Sequence, residues 1–247
     1  MTKAKTLTRL FTVADLGADA LCALGAGPAH KLRAVLRAQA GDEILLFNGR
    51  DGEWRARLTE VGKSQAHAQC LHQTRPQTDE PGPWLAFAPV KKDPLDHMIE
   101  KAVELGVQKM IPVITRRTEN RRLKMERLTQ QIIDACEQCE RLTVPTLEDP
   151  MALDKLGDMW PQDRALLVAA ERRDAQPIAQ ALNDGHRLLG LLIGPEGGFE
   201  DSELDAVLKL PISIPINLGP RILRAETAAI AALAVIQAIR GDWSRNA

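Results

Sequence analysis

The stretch from Leu188 to Leu204, LLGLLIGPEGGFEDSEL, limits the possible folds more than any other part of the chain. It opens on an apolar run without alternation, the pattern of a strand buried on both faces, and such strands belong to parallel sheets covered by helices. The run passes directly into Gly-Pro-Glu-Gly-Gly and then into a helical pattern that Asp201 or Ser202 can cap. A turn in that place lies at the carboxyl end of a parallel strand, where α/β proteins bind ligands, and glycine lets a ligand approach the backbone closely. A tight strand-to-helix turn explains a lone glycine pair. Three glycines, a proline and the carboxylate of Glu196 together point to a binding loop.

A second segment, INLGPRILRAETAA from Ile216 to Ala229, repeats the order of strand, Gly219-Pro220 turn and helix, with Glu226 and Thr227 in the helix's first turn. Two such loops can form one pocket. The first offers an acid and no base, whereas a phosphate cradle needs free N–H groups and usually a lysine, so a nucleoside triphosphate is a poor fit. Other glycine patterns fail as well. GAGPAH, from Gly25 to His30, has His30 where the dinucleotide fingerprint needs Gly or Ala, and Gly62-Lys63-Ser64 ends like a P-loop but has Arg57 in place of its first glycine, so it reads as a hairpin turn. Arg221 and Arg224, beside the second turn, suit either surface salt bridging or an anionic substrate, and sequence weighs the two about evenly.

A length of 247 residues suits two domains. TRPQTDEPGP, Thr74 to Pro83, has the composition of an exposed linker. It divides a small β-barrel over residues 1–73 from an α/β domain over 84–247. Before it, EILLFNG, GEWRARLTEV and AHAQCLH alternate like strands, with Asn48-Gly49 and Asp51-Gly52 as turns. Pro28 to Ala40 interrupts them as a short helix, with Leu32, Val35 and Leu36 at helical spacing. After the linker, strands and helices alternate: WLAFAPV, a helix that Asp93 can cap and Gly106 can end, KMIPVIT, a helix from about Leu123 to Arg141, ALLVAA, a helix around Pro177 to Asn183, and a last helix from Glu226 to Ile239. The start, MTKAKTLTRLF, lacks the apolar core of a signal peptide, and Ala228 to Ile239 is too short to span a bilayer, so a cytoplasmic protein without a membrane partner is expected.

The formal net charge of −1 argues against a strongly basic nucleic-acid binder, but the cations are clustered. Arg116, Arg117, Arg121, Arg122, Lys124 and Arg127 fall in one loop-to-helix stretch. A second set joins Lys3, Lys5 and Arg9 to Lys31, Arg33 and Arg37. A charge run is usually a solvated face, yet phosphate contacts need clustered cations rather than high net charge, and the coincidence of two sets favours RNA. Four cysteines make no disulfide framework in a chain of this size, so free thiols are expected. Cys136-Glu137-Gln138-Cys139 sits in a helix with no second pair to complete a zinc site, and it reads as core packing. His67, His72, His97 and His186 have no ligand spacing, and no metal is expected.

RLF at Arg9 to Phe11, HKLRAVLR at His30 to Arg37, the segment Lys91 to Gly106, ACEQC at Ala135 to Cys139, IGPEGGF and LGPRILRAETA together resemble the bacterial family of 16S ribosomal RNA uracil-N3 methyltransferases, of the SPOUT class. The resemblance covers nearly the whole chain and is most specific in the last two motifs. One departure is Glu140-Arg141, where the family is expected to show Gly-Arg.

The resemblance implies a PUA-like β-barrel, a carboxy-terminal α/β domain with a trefoil knot, and a homodimer whose interface lies beside the cofactor. It implies S-adenosylmethionine, gripped by backbone groups of Ile193, Gly194, Gly198, Leu218, Gly219, Ile222 and Leu223, with Glu196 complementing the cationic sulfonium. The implied substrate is a uridine of 16S ribosomal RNA in the small ribosomal subunit, with Arg9, Lys31, Arg33, Arg37, Arg116, Arg117, Arg121, Arg122 and Arg221 holding the RNA. Because N3 of uracil must lose a proton before it attacks, a base or a charge-stabilising cation is needed. Arg224 and Glu226 are the first candidates, and Glu196 is the alternative base. Two other readings remain: a ribosome-assembly protein with a vestigial methylation pocket, or an enzyme of the same fold acting on transfer RNA or a ribose hydroxyl.

Overall fold

The structure is a computed structural model that describes residues 6–170, 174–183 and 188–244. Lys3, Lys5 and His186 lie outside these residues. The chain divides into two compact units, one made of residues up to 80 together with 133–144, the other of 81–132 and 145 onward. A boundary read from composition does not foresee that residues 133–144 return to the first unit.

In the first unit, β1 (Thr6–Phe11), β2 (Leu21–Leu24), β3 (Glu43–Phe47), β4 (Glu53–Val61) and β5 (Ala66–Arg75) form one sheet in the order β1-β3-β4-β5-β2. β1 and β3 run parallel and the other neighbours antiparallel. Leu10, Leu24, Ile44, Leu58 and Ala68, one from each strand, fall in a single buried cluster, so the sheet curls around one core as a barrel does. Gly62 donates its N–H to the Gln65 carbonyl at 2.9 Å and closes the β4–β5 hairpin. The Pro28 to Ala40 segment is helical in two pieces, α1 (Ala26–His30) and a π-helical turn from Lys31 to Val35. The wider turn rotates the apolar stripe, so that Leu32 is buried while Val35 is 67% exposed rather than packed.

Arg9, expected at the RNA, is committed inside the first unit. Its side chain is buried, with Nε 2.7 Å from a Glu53 carboxylate oxygen and the guanidinium 3.6 Å from the Phe47 ring centroid. Its two terminal nitrogens donate to the carbonyls of Cys136 and Arg141, at 2.7 and 2.6 Å. Cys136 belongs to the last turn of α2 (Met125–Cys139), whose carbonyls need donors that the helix itself cannot supply. Burial alone would push the Glu53 carboxyl up, but hydrogen bonds from Arg75, Arg9 and Thr74 outweigh it and hold it below the usual carboxylate range. Lys31 is likewise engaged, 2.6 Å from Glu137, which also accepts the Phe11 N–H at 3.0 Å. Arg33 and Arg37 are exposed. The Cys136 thiol is buried, and burial pushes it up to about 12, which suits core packing and not reactivity. Glu140, just past the helix, has a φ of +64°, the left-handed conformation in which helices commonly place glycine.

The second unit is built on a sheet whose paired strands, among the described residues, all run parallel. Its strands are β6 (Trp84–Phe87), β7 (Lys109–Ile114), β8 (Thr146–Leu147), β9 (Met151–Ala152), β10 (Arg164–Ala169), β11 (Gln176–Pro177), β12 (Leu188–Ile193) and β13 (Ser213–Asn217). The order is β11-β13-β10-β12-β6-β7-β8, with β9 also paired to β7. The helices that follow the strands are α3 (Lys92–Glu104), α4 (Leu156–Met159), α5 (Ile178–Ala181), α6 (Asp201–Leu208) and α7 (Ala225–Arg240). Leu204 and Val207 of α6 share a buried cluster with Leu166 and Val168 of β10 and Leu192 of β12, while α7 packs against α3 and β12. Two caps differ from expectation. Lys91, not Asp93, precedes α3, with Asp93 inside its first turn. At α6 the cap is Glu200, whose carboxylate accepts the backbone N–H of Glu203 while Glu203 reaches back to the Glu200 N–H, a reciprocal box that displaces Asp201 and Ser202 from the role.

These contacts set two stability outcomes. Arg9→Ala takes one of three partners from the buried Glu53 carboxylate and removes the donor to the Cys136 and Arg141 carbonyls, and is expected to cost about 2–3 kcal/mol in urea unfolding, against less than about 0.5 kcal/mol for the exposed Arg33→Ala. Equal effects would contradict the buried hub. Glu140→Gly relieves the left-handed strain and is expected to add about 1 kcal/mol; a loss of stability would show that the Glu140 side chain matters more than its backbone.

Candidate functional site

The sheet order decides where the two glycine loops lie. β12 and β13 flank β10 on either side, and the three run parallel, so the loops that leave β12 and β13 emerge at one end of the sheet, separated by the width of one strand. β10 ends there in Ala169 and Ala170, whose small side chains leave room between the loops. A cavity of about 350 Å³ fills that space. All eight residues expected at a cofactor, Ile193, Gly194, Glu196, Gly198, Leu218, Gly219, Ile222 and Leu223, line it.

The first loop is shaped by packing and by one tight turn. A side chain at Gly194 would place its Cβ 2.9 Å from the Phe199 ring, so glycine lets that ring fold back on the end of β12. The Gly198 N–H donates to the Pro195 carbonyl at 2.8 Å, and Gly198 takes a φ of +69°. Glu196 is exposed at the tip, one carboxylate oxygen 3.5 Å from the backbone nitrogen of Lys91. The second loop is fixed by Asn217, whose side-chain carbonyl accepts the Gly219 N–H at 3.3 Å while its amide donates to the Ala175 carbonyl. Gly219 has a φ of +99°. Ile222 is 76% exposed, and Arg221 and Arg224 are exposed on the cavity's rim. Arg224 lines the cavity and directly precedes α7; Glu226, its expected companion, is not among the lining residues.

The basic loop after β7 reaches the same place. Arg117 lines the cavity and donates to the Gly197 carbonyl at 2.8 Å. Arg116 is committed to Glu200 at 2.7 Å and to Ser202 at 3.1 Å. Arg121 folds the loop, donating to the carbonyls of Thr115, Arg116 and Thr118. Arg127 is paired with Asp96 at 2.7 Å, leaving Arg122 and Lys124 as exposed cations of the stretch. Sequence reasoning named Arg117 for RNA and missed its bond to the first glycine loop, because nothing in the spacing of residues 117 and 197 reveals that β7 and β12 both flank β6. It also missed Asn217 and Asp201, which line the cavity. Asparagine beside a Gly-Pro turn was the available signal for the first.

The cavity's character follows from these walls. Its apolar part, from Ile193, Leu218, Leu223 and the alanines, suits an uncharged flat ring, its backbone groups suit hydrogen bonding, and Glu196 and Asp201 suit a cation. Among the described residues no group of His, Cys, Asp and Glu could hold a metal ion, and no helix is long and apolar enough to cross a membrane.

Comparison with known proteins agrees with this geometry. Residues 79–237 match the family described as RNA methyltransferase domain, and residues 32–70 the RNA methyltransferase PUA domain. The ribosomal RNA small subunit methyltransferase E of Rickettsia conorii is 35% identical over 84% of this chain and 85% of its own. The protein of the same name from Bacillus subtilis is 29% identical over 86% of this chain and 90% of its own. A crystal structure of ribosomal RNA small subunit methyltransferase E from Neisseria gonorrhoeae, bound to S-adenosyl methionine, superposes with a TM-score of 0.85 at 29% identity, covering 96% of this chain and 99% of that one.

The loop geometry itself is testable without a ligand. Asn217→Ala removes both bonds that hold the second loop, each worth about 1 kcal/mol, so amide exchange over residues 217–224 is expected to accelerate about tenfold or more while β10 keeps its protection. Unchanged exchange at Gly219 would show that the loop is held by something else.

Proposed function

Since the chain belongs to the family of the ribosomal RNA small subunit methyltransferases E, we propose that it transfers a methyl group from S-adenosylmethionine to N3 of one uridine in 16S ribosomal RNA. The observation that carries this reading is the single cavity into which the sheet order brings both glycine loops. With the family comes the knotted α/β fold, and the adjacency of the two loops across β10 is its visible support here. A ribosomal RNA substrate implies that the enzyme acts in the cytoplasm.

The residues fit the cofactor. It supplies an electrophilic methyl group on a positively charged sulfur. Glu196 and Asp201 offset positive charge in the cavity, while Arg117, Arg221 and Arg224, which also line it, suit an anionic partner. Backbone groups of Gly194 to Gly198 and of Leu218 to Leu223 would hold its neutral ring. Arg221 and Arg224 offset the negative charge of the target nucleotide; in the same unit Arg122 and Lys124, and in the first unit Arg33 and Arg37, are exposed cations that RNA phosphates can meet. Glu196, which lines the cavity, is a better placed base than Glu226, which does not.

A homodimer is part of the same reading. Ala231, Ala234, Val235, Ala238 and Ile239 of α7 recur at helical spacing and are only partly covered, and Trp243 just beyond is 59% exposed. A second copy of the chain would bury that stripe. Ala238→Glu with Ile239→Glu is expected to turn a dimer into a monomer by light scattering, and a wild-type monomer would remove this part of the reading.

Incubating the protein with S-adenosylmethionine and 16S ribosomal RNA lacking the modification should produce one 3-methyluridine by nucleoside mass spectrometry. A methylated ribose, or methylation of transfer RNA alone, would reject the assignment. Arg224→Ala is expected to lower turnover about 100-fold while cofactor affinity changes little, since charge stabilisation of this kind acts on the transition state.

A further inference from the structure

Arg116 and Arg117 are neighbours in the loop after β7, and their bonds fall on the two ends of one segment, Gly197 to Glu203. Arg117 takes the first end. One terminal nitrogen of its guanidinium donates to the Gly197 carbonyl at 2.8 Å. Its stem lies along the same residue, since a Cβ built on Gly197 would stand 3.6 Å from the Arg117 Cδ. Arg116 takes the other end. Its backbone N–H donates to a Glu203 carboxylate oxygen at 2.8 Å, and its guanidinium donates to Glu200 at 2.7 Å and to the Ser202 hydroxyl at 3.1 Å. Glu200 and Glu203 form the reciprocal cap of α6, so Arg116 fastens that cap from outside.

The loop that carries both arginines is itself braced. The buried Thr118 hydroxyl accepts the Thr115 N–H at 2.9 Å. Arg121 donates to the carbonyls of Thr115, Arg116 and Thr118. The Asn120 side-chain amide donates to the Val90 carbonyl at 3.0 Å, which ties the loop to the turn before α3. By charge Arg117 resembles Arg221 and Arg224, which also line the cofactor cavity, but it is bonded to the first glycine loop itself. Turning its bonded nitrogen toward an RNA phosphate would leave the Gly197 carbonyl without this donor.

We propose that Arg117, seconded by Arg116, is a positioning residue for the methyl donor and not an RNA contact: the two arginines bracket residues 197–203 and so fix the first glycine loop where its backbone groups meet the cofactor. The inference rests on the S-adenosylmethionine reading above and deepens it. Backbone groups recognise a ligand only when held at the right distance, so a binding loop with few side chains of its own depends on what supports it from behind. The front of the basic stretch then belongs to the cofactor, and its exposed members Arg122 and Lys124 are left for RNA phosphates. Because the effect runs through backbone position and not through charge on the ligand, it acts alike on S-adenosylmethionine and on uncharged-sulfur S-adenosylhomocysteine.

The test measures cofactor and RNA binding separately on the full chain. In calorimetry, Arg117→Ala should weaken both S-adenosylmethionine and S-adenosylhomocysteine by about tenfold, and by the same factor, as expected for a lost hydrogen bond from a charged donor. Arg117→Lys keeps a cationic donor and should bind both within about threefold of wild type. Without cofactor, amide exchange over residues 197–199 should accelerate in Arg117→Ala while β10 keeps its protection. Binding of an oligouridine RNA, followed by fluorescence anisotropy across a salt series, should keep the wild-type slope in Arg117→Ala, whereas Arg122→Ala should lower it by about 0.7, the loss of one single-strand phosphate contact, with cofactor affinity unchanged. Cofactor affinity of Arg117→Ala within threefold of wild type, unequal losses for the two cofactor forms, no recovery in Arg117→Lys, or a salt slope that falls in Arg117→Ala as in Arg122→Ala would overturn the proposal. A wild type that binds neither cofactor form would instead reject the reading on which it rests.

Discussion

The site depends on one strand lying between two others. Because β10 separates β12 from β13 in a parallel sheet, the connection through α6 must pass over β10, and the turns that end β12 and β13 are forced to face each other across the alanines that end it. Leu204 and Val207 hold α6 to that crossing by packing on Leu166, Val168 and Leu192. The glycines then have separate tasks: Gly194 admits the Phe199 ring, and Gly198 and Gly219 take left-handed turns that a side chain would strain. Binding geometry is thus a property of the sheet, and the loops need few side chains of their own to express it.

Charge gives the site its direction. An acid at the tip of the first loop, arginines on the second and a braced basic loop from β7 place a cation-friendly chamber next to an anion-friendly rim. Methyl transfer from a sulfonium to a nucleobase in RNA brings a positive and a negative reactant together, and this distribution accommodates both. The bond from Arg117 to the Gly197 carbonyl ties the two regions, so the basic loop after β7 also supports the first glycine loop.

Much of this was legible in the chain. The unbroken apolar run before Gly194 identified a buried parallel strand and the two glycine motifs marked a pocket, while the eight residues named at the cofactor, all of which line the cavity, came with the family resemblance. Local patterns were less dependable where long-range contacts decide. Arg9 reads as a surface cation beside other cations, yet it is spent on Glu53 and on carbonyls more than a hundred residues away, which no local pattern can show. Val35 has helical spacing but is turned outward by a π-helical turn. At α6, Glu200 competes successfully with two better capping residues because Glu203 completes a reciprocal pair. The knot and the target base came from the family resemblance, since hydrophobic periodicity records which faces are buried and not the path by which the chain is threaded.

The central claim is that the two-loop cavity is built for a cationic, adenosine-bearing methyl donor and not for a nucleotide phosphate. Isothermal titration of the full chain with S-adenosylmethionine and, separately, with adenosine triphosphate tests it most directly. The account predicts one S-adenosylmethionine bound per chain and no competition from adenosine triphosphate at comparable concentration. Tighter binding of the triphosphate, or no heat from S-adenosylmethionine, would contradict it.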